Sequence, residues 1–264
     1  MTSGLIVERH GAVCLLTINR EHARNSLDAA TSQAMDEAIT AAEADPDLGA
    51  TIVTGTGDRA FCAGMDLKEA ERIGAGHGLI PGRGFGGITE RQRNKPLIAA
   101  INGAAVAGGF EIMMACDLVF AAEHAVMGVS EVKRGLFAFA GGIQRLANQV
   151  PRATALAMIM TGELLPARRL YELGLITEVV PGERLLARAL EVTEAMLANS
   201  WQAINNGRIL YELSTGMDTA QALAVGNAWG TATLASADSR EGIAAYAQKR
   251  DATFGTAGDA RASE

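Results

Sequence analysis

Two runs of small residues constrain this chain more than any other feature, because each follows an apolar, strand-like segment and the second leads into a helix-like one. The first, Ala60-Phe61-Cys62-Ala63-Gly64-Met65-Asp66-Leu67, follows Ala50-Thr51-Ile52-Val53-Thr54 and the turn Gly55-Thr56-Gly57. The second, Ile101-Asn102-Gly103-Ala104-Ala105-Val106-Ala107-Gly108-Gly109-Phe110-Glu111, leaves the strand-like Leu97 to Ile101 and enters Ile112 to Cys116. A strand, then small residues, then a helix start leaves backbone N–H groups without partners, aimed at one spot and backed by the helix dipole. Such donors suit a phosphate, a carboxylate or a thioester oxyanion, and spacing alone does not choose among them. No G-x-x-x-x-G-K-[ST] occurs, and Gly82-Arg83-Gly84-Phe85-Gly86-Gly87 lacks a preceding strand and the last glycine of G-x-G-x-x-G. A G-x-S-x-G nucleophile elbow is also missing.

The rest of the chain reads as α/β. Val13 to Ile18, Leu118 to Ala121 and Ala125 to Gly128 are further short apolar runs of the kind buried strands show. Ser26-Leu27-Asp28 opens an amphipathic segment that ends at Asp45-Pro46. From Thr154 onward helical stretches dominate: Leu156 to Met160, Ala167 to Leu173, Leu185 to Leu197, Ile204 to Leu213 and Ala220 to Leu234. Between residues 74 and 87, seven glycines and one proline in fourteen positions predict a loop placed to cover the neighbouring site as a lid.

A net charge of −7 excludes the basic footprint that nucleic-acid binding needs. Leu97 to Phe110, the longest apolar stretch, is broken by Asn102 and falls short of the roughly 18 residues of a membrane span. Only Leu5 to Val7 is apolar near the start, too short for a signal peptide, so a cytoplasmic protein is expected. Cys14, Cys62 and Cys116 have neither disulfide nor zinc spacing, and Cys62 and Cys116 read as core residues. His10, His22, His77 and His124 read as surface or turn residues, and no metal is expected. Met113-Met114 and the methionines at 158 and 160 read as core filler.

The two small-residue segments resemble the twin oxyanion-hole signatures of the crotonase superfamily, the enoyl-CoA hydratase/isomerase family. The likeness extends to Asn19-Arg20 with Arg24-Asn25-Ser26-Leu27, to Ser130-Glu131-Val132-Lys133-Arg134-Gly135-Leu136 with Gly141-Gly142-Ile143-Gln144-Arg145-Leu146, and to Arg240-Glu241-Gly242 with Lys249-Arg250 and Phe254. The resemblance implies a crotonase-type spiral of β-β-α units over residues 1–196 and a helical C-terminal trimerisation region over 197–264. It implies a homotrimer or a homohexamer built as a dimer of trimers. The N–H groups of Met65 and Gly108 would hold the thioester oxygen as it becomes enolate-like. Glu111 would activate water and Glu131 would protonate C2.

By the same resemblance Ala63, Gly64, Asp66 and Leu67 belong to the substrate-binding segment, the Ala63 carbonyl facing the CoA adenine. Arg24 is expected near the CoA phosphates, and Lys249 near the CoA of its own or a neighbouring subunit. No cofactor is expected beyond the CoA moiety of an acyl-CoA substrate. Two departures stand out: Ser130 replaces the usual proline before the second glutamate, and Phe139 adds bulk where a small residue commonly lines the acyl pocket. Gly84 to Glu90 is similar to the matching stretch of carnitinyl-CoA dehydratases, which makes that activity an alternative to enoyl-CoA hydration, as is double-bond isomerisation. A catalytically silent CoA-binding or RNA-binding relative is the non-enzyme alternative.

Overall fold

Four apolar runs become the middle of a sheet because both faces of it are covered. In the computed structural model, which describes residues 4–255, strands β1 (Leu5–His10), β2 (Val13–Ile18), β3 (Ala50–Gly55), β7 (Leu97–Ile101), β9 (Leu118–Ala122) and β12 (Glu178–Val180) lie side by side in that order. All neighbours are parallel except β1 and β2. Alternate residues feed two cores, as the two-residue period of a strand requires. Cys14, Leu16, Val53, Ala99, Ile101 and Ala121 enter the larger core. Their neighbours Val13, Leu15, Ile52, Ile98, Ala100 and Phe120 enter a second, closed by Leu185 and Ala189 of helix α7 (Leu185–Leu197). Burial on both sides explains continuous apolar runs without polar alternation.

A second sheet carries β4 (Ala60–Cys62), β8 (Ala104–Val106), β10 (Val126–Gly128) and β11 (Leu165–Pro166), in the order β11-β10-β8-β4. The chain repeats one excursion: β3 to β4 and then α2 (Leu67–Ile73), β7 to β8 and then α3 (Gly108–Met114), β9 to β10 and then α4 (Gly142–Gln149). Each turn places one strand in each sheet and a helix after them, which is the expected spiral of β-β-α units. Consecutive turns therefore bring the β4–α2 and β8–α3 junctions together.

Helix α1 (Ala29–Ala44) starts where Asp28 caps it, its carboxylate accepting from the Thr31 N–H at 2.7 Å. It buries Met35, Ile39 and Ala42. The glycine-rich stretch is folded as a hairpin of β5 (Leu79–Ile80) and β6 (Gly84–Phe85), with Phe85 in the core. It borders the site, as the expected covering loop would, but as a short hairpin whose Phe85 belongs to the core. Helices α5 (Arg152–Thr161) and α6 (Ala167–Glu172) follow α4, and α8 (Trp201–Ser214), α9 (Thr219–Leu234) and α10 (Ala237–Gln248) end the described chain. Neither α8 nor α9 has a buried residue. Met113, Met114 and Met158 are core residues as expected, whereas Met160 is exposed.

Sequence patterning misses β1 and β12 for a physical reason. Only Leu5 of β1 is buried, so this edge strand carries no hydrophobic alternation, and β12 has three residues. Among the described residues no helix is long and apolar enough to cross a membrane.

Candidate active site

The glycine at the end of each small-residue segment permits contact between them. Gly64 has φ +85°, a conformation side chains rarely adopt, and a Cβ there would lie 3.1 Å from the Gly108 nitrogen. Leu27 holds this segment in β-bridge register: its N–H donates to the Gly64 carbonyl at 2.8 Å, and its carbonyl accepts from the Asp66 N–H at 2.9 Å. The Met65 N–H, lying between these bonds, has no acceptor among the described residues. The Gly108 N–H is likewise free at the first position of α3. Ala107 directly before it is held at φ 55° and ψ −126°, a left-handed conformation that costs an alanine about 1–3 kcal/mol. Its N–H donates to the Gly128 carbonyl at 3.0 Å, so pairing with the next turn of the spiral holds the strained residue in place.

Both donors border a cavity of about 270 Å³ whose wall includes Ala63, Met65, Leu67, Gly108, Glu111, Glu131 and Phe139. Glu111 sits one turn into α3 and is 4% exposed. Burial raises its pKa to about 7, aided by the charge of Glu131 and opposed by the Gly142 N–H, which donates to Oε1 at 3.0 Å. Glu131 opens a 3₁₀ turn, Glu131–Arg134. Burial raises its pKa as well, against the N–H groups of Glu131 itself and Ser130. Its Oε2 is buried with no hydrogen-bond partner among the described residues, so one carboxylate oxygen is left for a molecule in the cavity. Two carboxyl groups poised to exchange protons and two convergent N–H donors can stabilise an enolate while moving protons at the adjacent carbons.

A family match to enoyl-CoA hydratase/isomerase spans residues 8–257. The chain belongs to the enoyl-CoA hydratase/isomerase family. It is 36% identical over 254 residues to the enoyl-CoA hydratase EchA19 of Mycobacterium tuberculosis, covering 94% of this chain and 95% of that protein. The carnitinyl-CoA dehydratase of Salmonella arizonae is 36% identical over 256 residues, covering 95% of this chain and 98% of that one. The crystal structure of an enoyl-CoA hydratase from Mycobacterium tuberculosis superposes with a TM-score of 0.91 at 36% identity, covering 96% of this chain and 99% of that chain. The crotonase fold of the family is thus the fold of this chain.

Not every expected binding residue of this family site meets the cavity. The Asp66 carboxylate caps α2 through the Lys68 and Glu69 N–H groups and pairs with Arg20 at 2.9 Å, which holds its pKa below the usual range against the opposing effect of burial. Asp66 therefore shapes the segment and does not border the cavity. Arg24 lies outside the wall, although its carbonyl accepts from the Ala63 N–H at 3.2 Å and so anchors the same segment. Lys249 caps α10 in a left-handed conformation, exposed and away from the cavity. Phe139 is 51% exposed and packs edge-on against Phe137, ring centroids 5.7 Å apart.

Two positioning residues escape sequence reasoning. His77, expected at the surface, has a side chain 4% exposed, with Nε2 3.3 Å from the Leu27 carbonyl and 3.4 Å from Glu69. Arg145 of α4 donates to the Thr89 carbonyl at 2.7 Å, and the Thr89 hydroxyl accepts from the Phe85 N–H at 2.8 Å. The Phe85 ring in turn packs on Gly108, where a Cβ would meet it at 2.5 Å. This strut joins the helix that holds Glu111 through Gly142 to the wall behind the Gly108 donor. Cys62 and Cys116 are core-facing thiols, their pKa values pushed up to about 12 chiefly by burial, which suits no nucleophile.

Proposed function

We propose that this protein is an enoyl-CoA hydratase, a hydro-lyase that reversibly adds water across the α,β double bond of an enoyl-CoA to give a β-hydroxyacyl-CoA. The observation that carries this reading is the meeting of two pKa-raised glutamates and two unpaired N–H donors on one cavity. The thioester oxygen accepts from the Met65 and Gly108 N–H groups and gains negative charge as water attacks C3. A preorganised donor of this kind is worth about 3 kcal/mol of barrier. Glu111 takes a proton from the water as its oxygen bonds to C3, and Glu131 gives a proton to C2. The sum is one water added, with the proton exchanged between the two carboxyl groups. With both carboxyl groups acting on one water, the assignment of base and acid describes one microstate.

Crotonyl-CoA supplied to the purified protein should lose the absorbance of its conjugated thioester, and Glu131→Gln should lower turnover by about 10²–10⁴-fold. Wild-type-like turnover in that variant would remove the acid from the mechanism. Carnitinyl-CoA dehydration, the activity named for the Salmonella relative, is the second reading, favoured by the Gly84 to Glu90 stretch. Crotonobetainyl-CoA therefore belongs in the substrate panel.

The substrate's CoA is the only cofactor this chemistry requires. Exposed Tyr211, Leu213, Leu223, Leu234, Ile243 and Tyr246 on α8, α9 and α10 support a C-terminal trimerisation region, in a homotrimer or a dimer of trimers. A net charge of −7 argues against the Lys- and Arg-rich face that nucleic-acid binding needs, and a cytoplasmic location is part of the same proposal.

A further inference from the structure

Three ionisable side chains border the cavity, Glu111, Glu131 and Arg134, and the hydration chemistry uses only the first two. Arg134 ends the 3₁₀ turn that Glu131 opens. With three residues per turn, positions i and i+3 eclipse, so Arg134 lies on the same face as Glu131 and about 6 Å further along the axis. Its guanidinium donates to the Lys133 carbonyl at 3.1 Å. No carboxylate pairs with it among the described residues. Other arginines in this acidic chain are taken up: Asp36 binds Arg83 and Arg91, and Asp117 binds Arg93 and Arg208. Around Arg134 the wall is apolar, with Leu136, Phe137 and Phe139, and all four side chains are exposed at the mouth of the cavity.

We propose that Arg134 selects enoyl-CoA substrates whose acyl chain ends in a carboxylate, pairing with that distal anion at the exposed edge of the cavity. This rests on the hydratase reading, which orients the substrate. The thioester oxygen lies at Met65 and Gly108, C2 lies beside Glu131, and a chain that continues past Glu131 reaches Arg134 after a few methylenes. A guanidinium matches a carboxylate with two parallel hydrogen bonds, and because Arg134 is exposed the pair gains the modest amount of a solvent-accessible ion pair. An uncharged chain end leaves the guanidinium without this partner. A cationic end meets repulsion.

The test compares three thioesters of similar length on the wild type, Arg134→Met and Arg134→Lys: hexenoyl-CoA, its ω-carboxylate counterpart and crotonobetainyl-CoA, whose chain ends in trimethylammonium. In the wild type kcat/KM should favour the carboxylate over the neutral chain by about two- to fivefold, with the cation last. Added salt should shrink this ratio. In Arg134→Met the ratio should fall to near one, and Arg134→Lys should retain part of it. Equal kcat/KM for carboxylate and neutral chains in the wild type, a preference that survives Arg134→Met, or a preference for the trimethylammonium chain would each overturn the proposal. Failure of every thioester to react would refute the hydratase reading instead. Selection by Arg134 would then be decided by binding of the saturated ω-carboxyacyl-CoA and acyl-CoA: tighter binding of the former, lost in Arg134→Met, upholds it, and equal binding overturns it.

Discussion

The Glu111 side chain accepts a 3.0 Å hydrogen bond from the Gly142 N–H, across the 31 residues that separate them in sequence. One contact ties the carboxylate at the end of the second small-residue segment to the first residue of α4. It also leaves a carboxyl group buried with no cation bonded to it, and that environment has consequences for stability and rate.

Raising Glu111 from 4.5 to about 7 costs the fold about 3 kcal/mol once the group is ionised. Below pH 4.5 it is protonated in both folded and unfolded chains, and the cost is absent. As pH climbs from 4.5 through about 7, the unfolded chain releases the proton that the native state retains, so stability falls. Glu111→Gln keeps an acceptor for Gly142 and removes the charge. Denaturant titrations should find this variant more stable than the wild type by up to about 3 kcal/mol above pH 7, with the gain disappearing at acid pH, and inactive throughout.

Arg145 lowers the Glu111 pKa through its charge, while Glu131 raises it. Arg145 itself faces Glu212 of α8, Cys116, Arg93 and Glu111. Because Glu111 must be ionised to take a proton from water, hydration should fall as pH drops through about 7. In Arg145→Met this acid limb of kcat/KM should move to higher pH, and in Arg145→Lys it should stay closer to the wild type. A purely structural loss would lower the whole profile without moving the limb.

Gly109 lets α3 approach β4: a Cβ at this position would sit 2.0 Å from the Cys62 carbonyl oxygen. Backbone cannot swing aside as a side chain would. Gly109→Ala should therefore destabilise by about 1–3 kcal/mol in thermal unfolding and reduce kcat, since α3 carries both the Gly108 N–H and Glu111. Unaltered kcat alongside a lowered Tm would show that the donor geometry tolerates the shift.

Phe139 borders the cavity and is half exposed, and among the described residues its aromatic partner is Phe137, met edge-on. Phe139→Ala should alter stability by less than about 1.5 kcal/mol. Across a series of enoyl-CoAs the optimum of kcat/KM should move toward longer or branched chains. An unchanged optimum would mean that the acyl chain runs elsewhere.

Sequence by itself carried the strands β2, β3, β7 and β9, whose continuous apolar runs require burial on both faces, and the helix opened by Asp28, whose cap is local. The pairing of the Met65 and Gly108 segments and the two glutamates came from resemblance to the crotonase family, since spacing alone left phosphate, carboxylate and oxyanion readings open. Local pattern could not supply the strand β1, which buries one residue, or the burial of His77, which depends on Leu27 fifty positions away. Nor could it separate Asp66, spent on Arg20 and the α2 cap, from Leu67 beside it on the cavity wall. Hydrogen bonds and charges act through space, so which neighbour is satisfied and which faces the substrate was decided only when the turns of the spiral stacked. The segments of the two N–H donors were legible because small residues following a strand are written consecutively, and the resemblance supplied their role, while the pKa of Glu111 belongs to its burial and to Gly142, Glu131 and Arg145 together.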